Sequence, residues 1–187
     1  TLTRSSAASD VYKRQGFIVS SMLLGIKFGR FNFKKYFSNI SINGWNSDYK
    51  IVHPSDLHIG SFNSVEKVVE IVNIVNDQNP DLIVFTGDLV NNYYNEVLPY
   101  VDVLKKLKAK DGKYSVLGNH DYCDYVGWKR SSLEWRKNFE NMKKIQSKIG
   151  FDLLLNDSRV INSLDNKFNI VGVENWGAGN FLSLIHI

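Results

Sequence analysis

The feature that most constrains the fold is a repeated unit in which a short apolar strand ends in polar residues and an amphipathic helix follows. Strands are predicted at residues 49–52, 82–85 and 114–117, and the second of these is an uninterrupted run of β-favouring apolar residues. Parallel strands need a crossover connection, and a helix is the usual one. The β-α-β-α-β order therefore predicts an α/β fold with a parallel sheet and right-handed crossovers.

The segments between and after these strands predict three helices and a second group of strands. Helical spacing predicts helices over 65–75 with Ser64 as N-cap, over 97–107, and over 135–149, where Gly150 ends the last one. Further strands are expected at 151–155, 159–163 and 168–173. We expect the last two to form a hairpin that turns around Asp165 and Asn166. A smaller mixed or antiparallel part should therefore end the domain.

The two ends of the chain differ in character from the rest. Residues 1–15 and 182–187 resemble translated sequencing-adapter DNA, so we expect both segments to be non-native and leave them out of the fold argument. The first segment has three basic residues and one acidic residue, so without it the formal charge falls from +4 to +2. A basic groove for specific nucleic-acid binding is then not implied. The single cysteine excludes an internal disulfide.

Residues 16–48 form a lead-in to the predicted domain. An uncharged, mostly apolar run at 17–26 is ten residues long, too short to span a bilayer, and basic residues follow it. Two interpretations stay open, the remnant of a membrane anchor or a surface helix that packs on the domain. The domain itself should occupy residues 49–181.

Three polar clusters follow the three predicted strands. They consist of Asp56 and His58, then Asp88, then Asn119, His120 and Asp121. Successive clusters are 32 residues (Asp56 to Asp88) and 31 residues (Asp88 to Asn119) apart, which is one βαβ unit per step. The carboxyl ends of parallel strands form the ligand crevice of such sheets, so these side chains should converge.

The donor types in these clusters favour a metal site. Carboxylate and imidazole groups without thiolate suit Mn²⁺, Fe or Zn²⁺, and one carboxylate can bridge two ions. A purely structural interpretation is the alternative, since Asp after a strand is often a helix cap and short polar motifs occur by chance. The ordered set with regular spacing favours the functional interpretation.

The motifs DLH, GD and GNHD together resemble those of the calcineurin-like metallophosphoesterase superfamily. The span 16–181 is similar to bacterial members that have their catalytic domain behind N-terminal membrane helices. The resemblance implies a pair of facing mixed sheets flanked by helices, with the first half or somewhat more present here. It also implies a location at the bacterial cell membrane through such an anchor, or otherwise in the cytoplasm.

The resemblance further implies roles for the clustered residues. Asp56 and His58 would bind a first divalent ion, and Asn119 would bind a second. Asp88 would bridge the two ions, for which Mn, Fe or Zn are the expected metals. His120, paired with Asp121, would face the leaving group. The implied reaction is hydrolysis of a phosphomonoester or phosphodiester by a metal-bridging hydroxide, on a phosphorylated substrate whose identity stays open.

The sequence departs from the family pattern in two places. The family completes its site with later GH and GHxH motifs, and neither occurs in this sequence. Pro54 stands where the family has an apolar strand residue, and a proline removes a ladder donor. We therefore expect the chain as given to be inactive. The alternatives to an enzyme are a non-catalytic protein- or membrane-binding platform on the same fold, or an inactive truncated fragment.

Overall fold

The computed structural model describes residues 2–25, 31, 33–45, 47–163, 166–175 and 185–186. The chain divides into two compact units, Thr1–Ile40 and Ser41–Ile187. Every residue of the three polar clusters belongs to the second unit.

The first unit contains one long helix. Helix α1 (Leu2–Leu24) runs across the boundary expected between residues 15 and 16, and it includes most of the apolar run. Phe17, Ile18 and Met22 on this helix are exposed. Within the described ranges, no helix has both the length and the apolar character needed to cross a bilayer.

The second unit is built on a four-stranded sheet whose strands are all parallel. The strands are β1 (Ile51–Val52), β2 (Leu82–Phe85), β3 (Lys113–Ser115) and β4 (Asp152–Leu153), and they lie side by side in chain order. The predicted parallel sheet is confirmed, and the strand expected at 151–155 joins it as β4. Strand β1 is shorter than predicted, and Pro54 lies beyond its last paired residue, so the proline removes no bond from the ladder.

Helices connect these strands on one side of the sheet. They are α2 (Val65–Asn76), a 3₁₀ helix at Tyr94–Tyr100 that leads into the single turn α3 (Val101–Leu104), and α4 (Leu133–Ile149). The single helix predicted over 97–107 is wrong in its bounds, because this segment is a 3₁₀ helix up to Tyr100 and its α-helical turn ends at Leu104. Helix α4 ends as predicted at Gly150, which has φ 94° and donates its N–H to Gln146.

An antiparallel group of strands follows β4. Strands β5 (Asp157–Ser163) and β6 (Asn166–Gly172) form the predicted hairpin, and β7 (Ile185–His186), within the tail expected to be non-native, pairs with β6. Asp165, predicted to lie in the turn, falls outside the described residues.

The central strand β2 has a hydrophobic cluster on each of its faces. Ile83 and Phe85 pack with buried residues of the helices, whereas Leu82 and Val84 pack with residues of the hairpin such as Ile170. This two-sided burial explains why the strand is an uninterrupted apolar run. Two facing sheets with helices outside one of them make up a partial form of the implied metallophosphoesterase fold.

Truncation of the residue at the centre of the contact between the sheets should destabilise the second unit. Ile170 is fully buried, so Ile170→Ala should lower the free energy of unfolding by about 2–4 kcal/mol, measured by urea denaturation. The matched control is Val171→Ala on the same strand, where the side chain is 37% exposed and the loss should stay below about 1 kcal/mol. Equal losses in the two variants would contradict this packing.

Candidate metal centre

The loops after β1 and β2 are joined by consecutive backbone hydrogen bonds. The N–H of Asp56 donates to the Gly87 carbonyl at 3.1 Å, and the N–H of His58 donates to the Asp88 carbonyl at 3.0 Å. Ile59 donates in the same way to Leu89 at 2.8 Å. The pairing of the two strands therefore continues into the loops and places the first two polar clusters side by side.

Two glycines allow the loops after β2 and β3 to touch. A Cβ on Gly87 would collide with the backbone of Gly118, and a Cβ on Gly118 would collide with Asp88. Gly87 also has φ 93°, which an L side chain rarely adopts. The close approach of Asp88 to the third cluster thus requires glycine at both positions.

Three of the predicted metal ligands have left-handed backbone conformations. The φ angles are 53° at Asp56, 44° at His58 and 56° at Asp88. Asp and His tolerate this region better than most residues, yet each such position costs free energy and persists only where surrounding contacts hold it. Their concentration at one edge of the sheet is typical of a functional site.

Asp88 lies at the centre of the polar groups. Its Oδ1 accepts the backbone N–H of His120 at 3.0 Å, and its Oδ2 lies 3.9 Å from Nε2 of His58. The potential ligand atoms of His58, Asp88 and His120 all lie within 4.8 Å of one another. The structure therefore brings one residue from each of the three predicted clusters together.

Asp88 also lines a cavity of about 200 Å³ together with Asp56 and Asn119. The remaining lining residues are Ser55, Thr86, Gly118 and Asn175. The side-chain nitrogen of Asn119 donates to the hydroxyl of Tyr125 at 2.6 Å, which leaves the Asn119 side-chain oxygen available to a cation. Asp88 thus lies beside the imidazole rings of His58 and His120, and it also lines the cavity together with Asp56 and Asn119.

The ring of His120 is oriented by a backbone carbonyl. Its Nδ1 lies 2.6 Å from the carbonyl oxygen of Asn91, and because a carbonyl only accepts, Nδ1 carries the hydrogen. The ring meets His58 edge-on with centroids 4.6 Å apart, and Tyr125 covers it at 4.5 Å. The chemically active nitrogen of His120 is therefore Nε2.

The expected pairing of Asp121 with the His120 ring is not found, because the Asp121 carboxylate binds backbone N–H groups instead. It accepts backbone N–H bonds from Gly118 at 3.0 Å, Leu89 at 2.9 Å and Val90 at 3.2 Å. Asp121 is fully buried, and this burial raises its pKa to about 7, although the three N–H donors oppose the shift. Asp121 therefore ties the loop after β3 to the loop after β2.

The residues present fit divalent metal ions. Within the described part of the chain, His58, Asp88 and His120 form a group that could hold an ion, and Asp56 and Asn119 add oxygen atoms at the adjoining cavity. Oxygen and imidazole ligands of this kind suit Mn²⁺, Fe or Zn²⁺. Cys123 takes no part, because its buried thiol contacts Asn92 and Asn138 and burial raises its pKa to about 11.

Two residues shape the site through contacts that the sequence did not predict. Asn91 acts through its backbone carbonyl, for which no sequence signal exists. Tyr125 lies six residues after Asn119 and holds it through the hydroxyl group. An aromatic residue so close to the GNHD motif was a visible signal, although its contact could not be deduced without the turn that follows the motif.

The relatives found by sequence comparison are metallophosphoesterases. The uncharacterized metallophosphoesterase YkuE of Bacillus subtilis is 38% identical over 79 residues, which cover 41% of this chain and 28% of YkuE. The metallophosphoesterase YkoQ of the same organism is 29% identical over 128 residues, covering 67% of this chain and 43% of YkoQ. A zebrafish (Danio rerio) transmembrane protein with a metallophosphoesterase domain is 36% identical over 90 residues, covering 47% of this chain and 20% of that protein.

The matched segment thus spans less than half of the length of each of these relatives. The sequence model of the calcineurin-like phosphoesterases matches residues 49–184, about three quarters of the 187-residue chain. The matched region contains all three polar clusters. The chain therefore belongs to the calcineurin-like phosphoesterase family.

Proposed function

We propose that the protein hydrolyses phosphomonoester or phosphodiester bonds at a dinuclear metal site in which Asp88 is shared by both ions. The observation that supports this proposal is that Asp88 lies among two sets of candidate ligands. It belongs to the imidazole group with His58 and His120, and it lines the cavity together with Asp56 and Asn119. A carboxylate that lies beside candidate ligands from all three clusters can be shared by two ions, with those ligands divided between the ions.

In this proposal Asp56 and His58 would hold the first ion, and Asn119 would hold the second. When bound, such ions polarise the phosphoryl oxygens and supply a nucleophile at neutral pH. Two of these ligands are held in position by hydrogen bonds before any ion binds. The His120 N–H fixes the Asp88 carboxylate, and Tyr125 fixes the amide of Asn119, so neither side chain needs to reorganise for binding.

His120 is proposed to protonate the leaving oxygen. Because Asn91 holds the hydrogen on Nδ1, a protonated ring has its second hydrogen on Nε2 and can donate it. The contacts with His58 and Tyr125 hold the ring in one orientation. Asp121 contributes indirectly, because it holds the two loops that carry Asp88 and His120 in register.

A membrane location is part of the proposal. It is supported by the apolar run that begins at Phe17 and by the zebrafish relative, which is named a transmembrane protein.

Removal of the shared charge should weaken metal binding. We expect Asp88→Asn to lower the Mn²⁺ affinity of this chain by about 100-fold or more, because the ions lose their shared carboxylate while the acceptor for the His120 N–H is kept. Isothermal titration with MnCl₂ measures the change. The control is Asp102→Asn, the same substitution at a side chain that is 93% exposed, and it should leave the affinity unchanged. Equal Mn²⁺ affinities of the Asp88 variant and the control would contradict the proposal.

The proposed proton donor should matter most for poor leaving groups. We expect the full-length protein to hydrolyse aryl phosphodiesters with Mn²⁺, and His120→Gln to lower kcat by about 10²–10⁴ for a phenyl ester. The loss should be smaller for the p-nitrophenyl ester, whose leaving group is more acidic and needs less protonation. Turnover is followed by phenol and p-nitrophenol release.

Equal losses of kcat for the two esters would contradict the proton-donor role of His120. Mn²⁺ binding without any hydrolysis by the full-length wild-type protein would contradict the enzymatic function and favour a binding platform on the same fold.

A further inference from the structure

Asn175 is a buried polar residue at the cavity that none of the roles above uses. It follows strand β6, is only 7% exposed, and lines the cavity with Asp56, Asp88 and Asn119. Its side-chain oxygen is inaccessible to water and has no hydrogen-bond partner in the described structure. A buried carbonyl without a partner is costly, so such an atom in a native structure calls for an explanation.

The neighbouring residue Glu174 fixes the backbone position of Asn175. The Glu174 N–H donates to the side-chain oxygen of Asn156 at 3.0 Å, and its carboxylate accepts the Asn156 side-chain N–H at 2.7 Å. The same carboxylate accepts the hydroxyl of Tyr122 at 3.0 Å. Tyr122 directly follows the GNHD motif, so the end of β6 is attached to the loop that forms the site.

The cavity has an excess of hydrogen-bond acceptors. The Ser55 hydroxyl donates to Asp56, and the Thr86 hydroxyl donates to Ser55 at 3.0 Å. Both hydroxyl hydrogens are thus used, and one of the two amide hydrogens of Asn119 is bonded to Tyr125. Two carboxylates and two amide oxygens remain. A cation satisfies such a set, and oxygen ligands of this type suit Mn²⁺.

We propose that the side-chain oxygen of Asn175 is a further ligand of the ion held at the cavity by Asp88 and its oxygen neighbours. The inference rests on the proposed function, because it assumes that the cavity binds a divalent ion. It adds to that function a ligand supplied by the second sheet rather than by the three strand-end loops. The unpartnered carbonyl is then left in the apoprotein as a preformed ligand.

The test is Mn²⁺ binding by this chain, followed through the electron paramagnetic resonance signal of free Mn²⁺. Asn175→Ala should weaken Mn²⁺ binding by about tenfold or more. Asn175→Asp should restore at least the wild-type affinity, because it offers an oxygen in the same place and adds a charge. The matched control is Asn169→Ala, an exposed asparagine on strand β6, which should bind Mn²⁺ as the wild type does.

Urea denaturation separates a ligand from a structural residue. Without metal, Asn175→Ala should unfold at the same urea concentration as the wild type or at a higher one, because it removes an unsatisfied buried carbonyl. The rise in the urea midpoint on addition of Mn²⁺ should be smaller than for the wild type. A variant that is destabilised without metal and keeps the wild-type Mn²⁺ affinity would overturn the inference.

The remaining outcomes distinguish this inference from the proposed function. If the wild type and Asn175→Ala bind Mn²⁺ equally but the variant loses affinity for inorganic phosphate, Asn175 contacts substrate and the metal-ligand assignment is overturned. If the wild type binds no Mn²⁺ at all, the proposed function fails together with the inference. Loss of Mn²⁺ affinity in Asn175→Ala alone, with rescue by Asn175→Asp, supports both.

Discussion

The candidate site depends on the contact between the backbones of two loops at Gly87 and Gly118. No side chain fits at either position, because a Cβ would collide with the opposite loop. The buried carboxylate of Asp121 reinforces the contact, since it accepts N–H groups from both loops. With the loops held this way, the Asp88 carboxylate reaches the N–H of His120 at 3.0 Å. The position of Asp88, and with it the proposed sharing of two ions, follows from this backbone contact.

The loops after β1 and β2 contain strained backbone at the edge of the sheet where the candidate site lies. Asp56, His58 and Asp88 have positive φ angles, and the consecutive bonds between the loops after β1 and β2 hold them there. The rigid sheet below supports this arrangement, because β2 is buried on both faces. A site that is already ordered loses little entropy when it binds an ion or a phosphate group, which is the advantage of building it on strand ends.

The sequence predicted those parts of the fold and site that depend on local pattern. The apolar run of β2, the Gly150 helix end and the spacing of the polar clusters are local signals, and the parallel sheet and the convergence of the clusters were confirmed. The orientation of His120 by Asn91 and the loop-tying role of Asp121 were not predictable, because residues about 30 positions apart meet there. The position of Asn175 after a strand made a contact near the site possible, but no spacing rule encodes which residues it meets at the cavity.

The central claim, that two ions share Asp88, is tested most directly by X-ray diffraction from crystals of this protein soaked in MnCl₂. Data collected at the manganese absorption edge locate the ions independently of any model of the ligands. The account predicts two anomalous peaks, both within coordination distance of the Asp88 carboxylate, one beside Asp56 and His58 and the other beside Asn119. A single peak, or peaks away from Asp88, would contradict it.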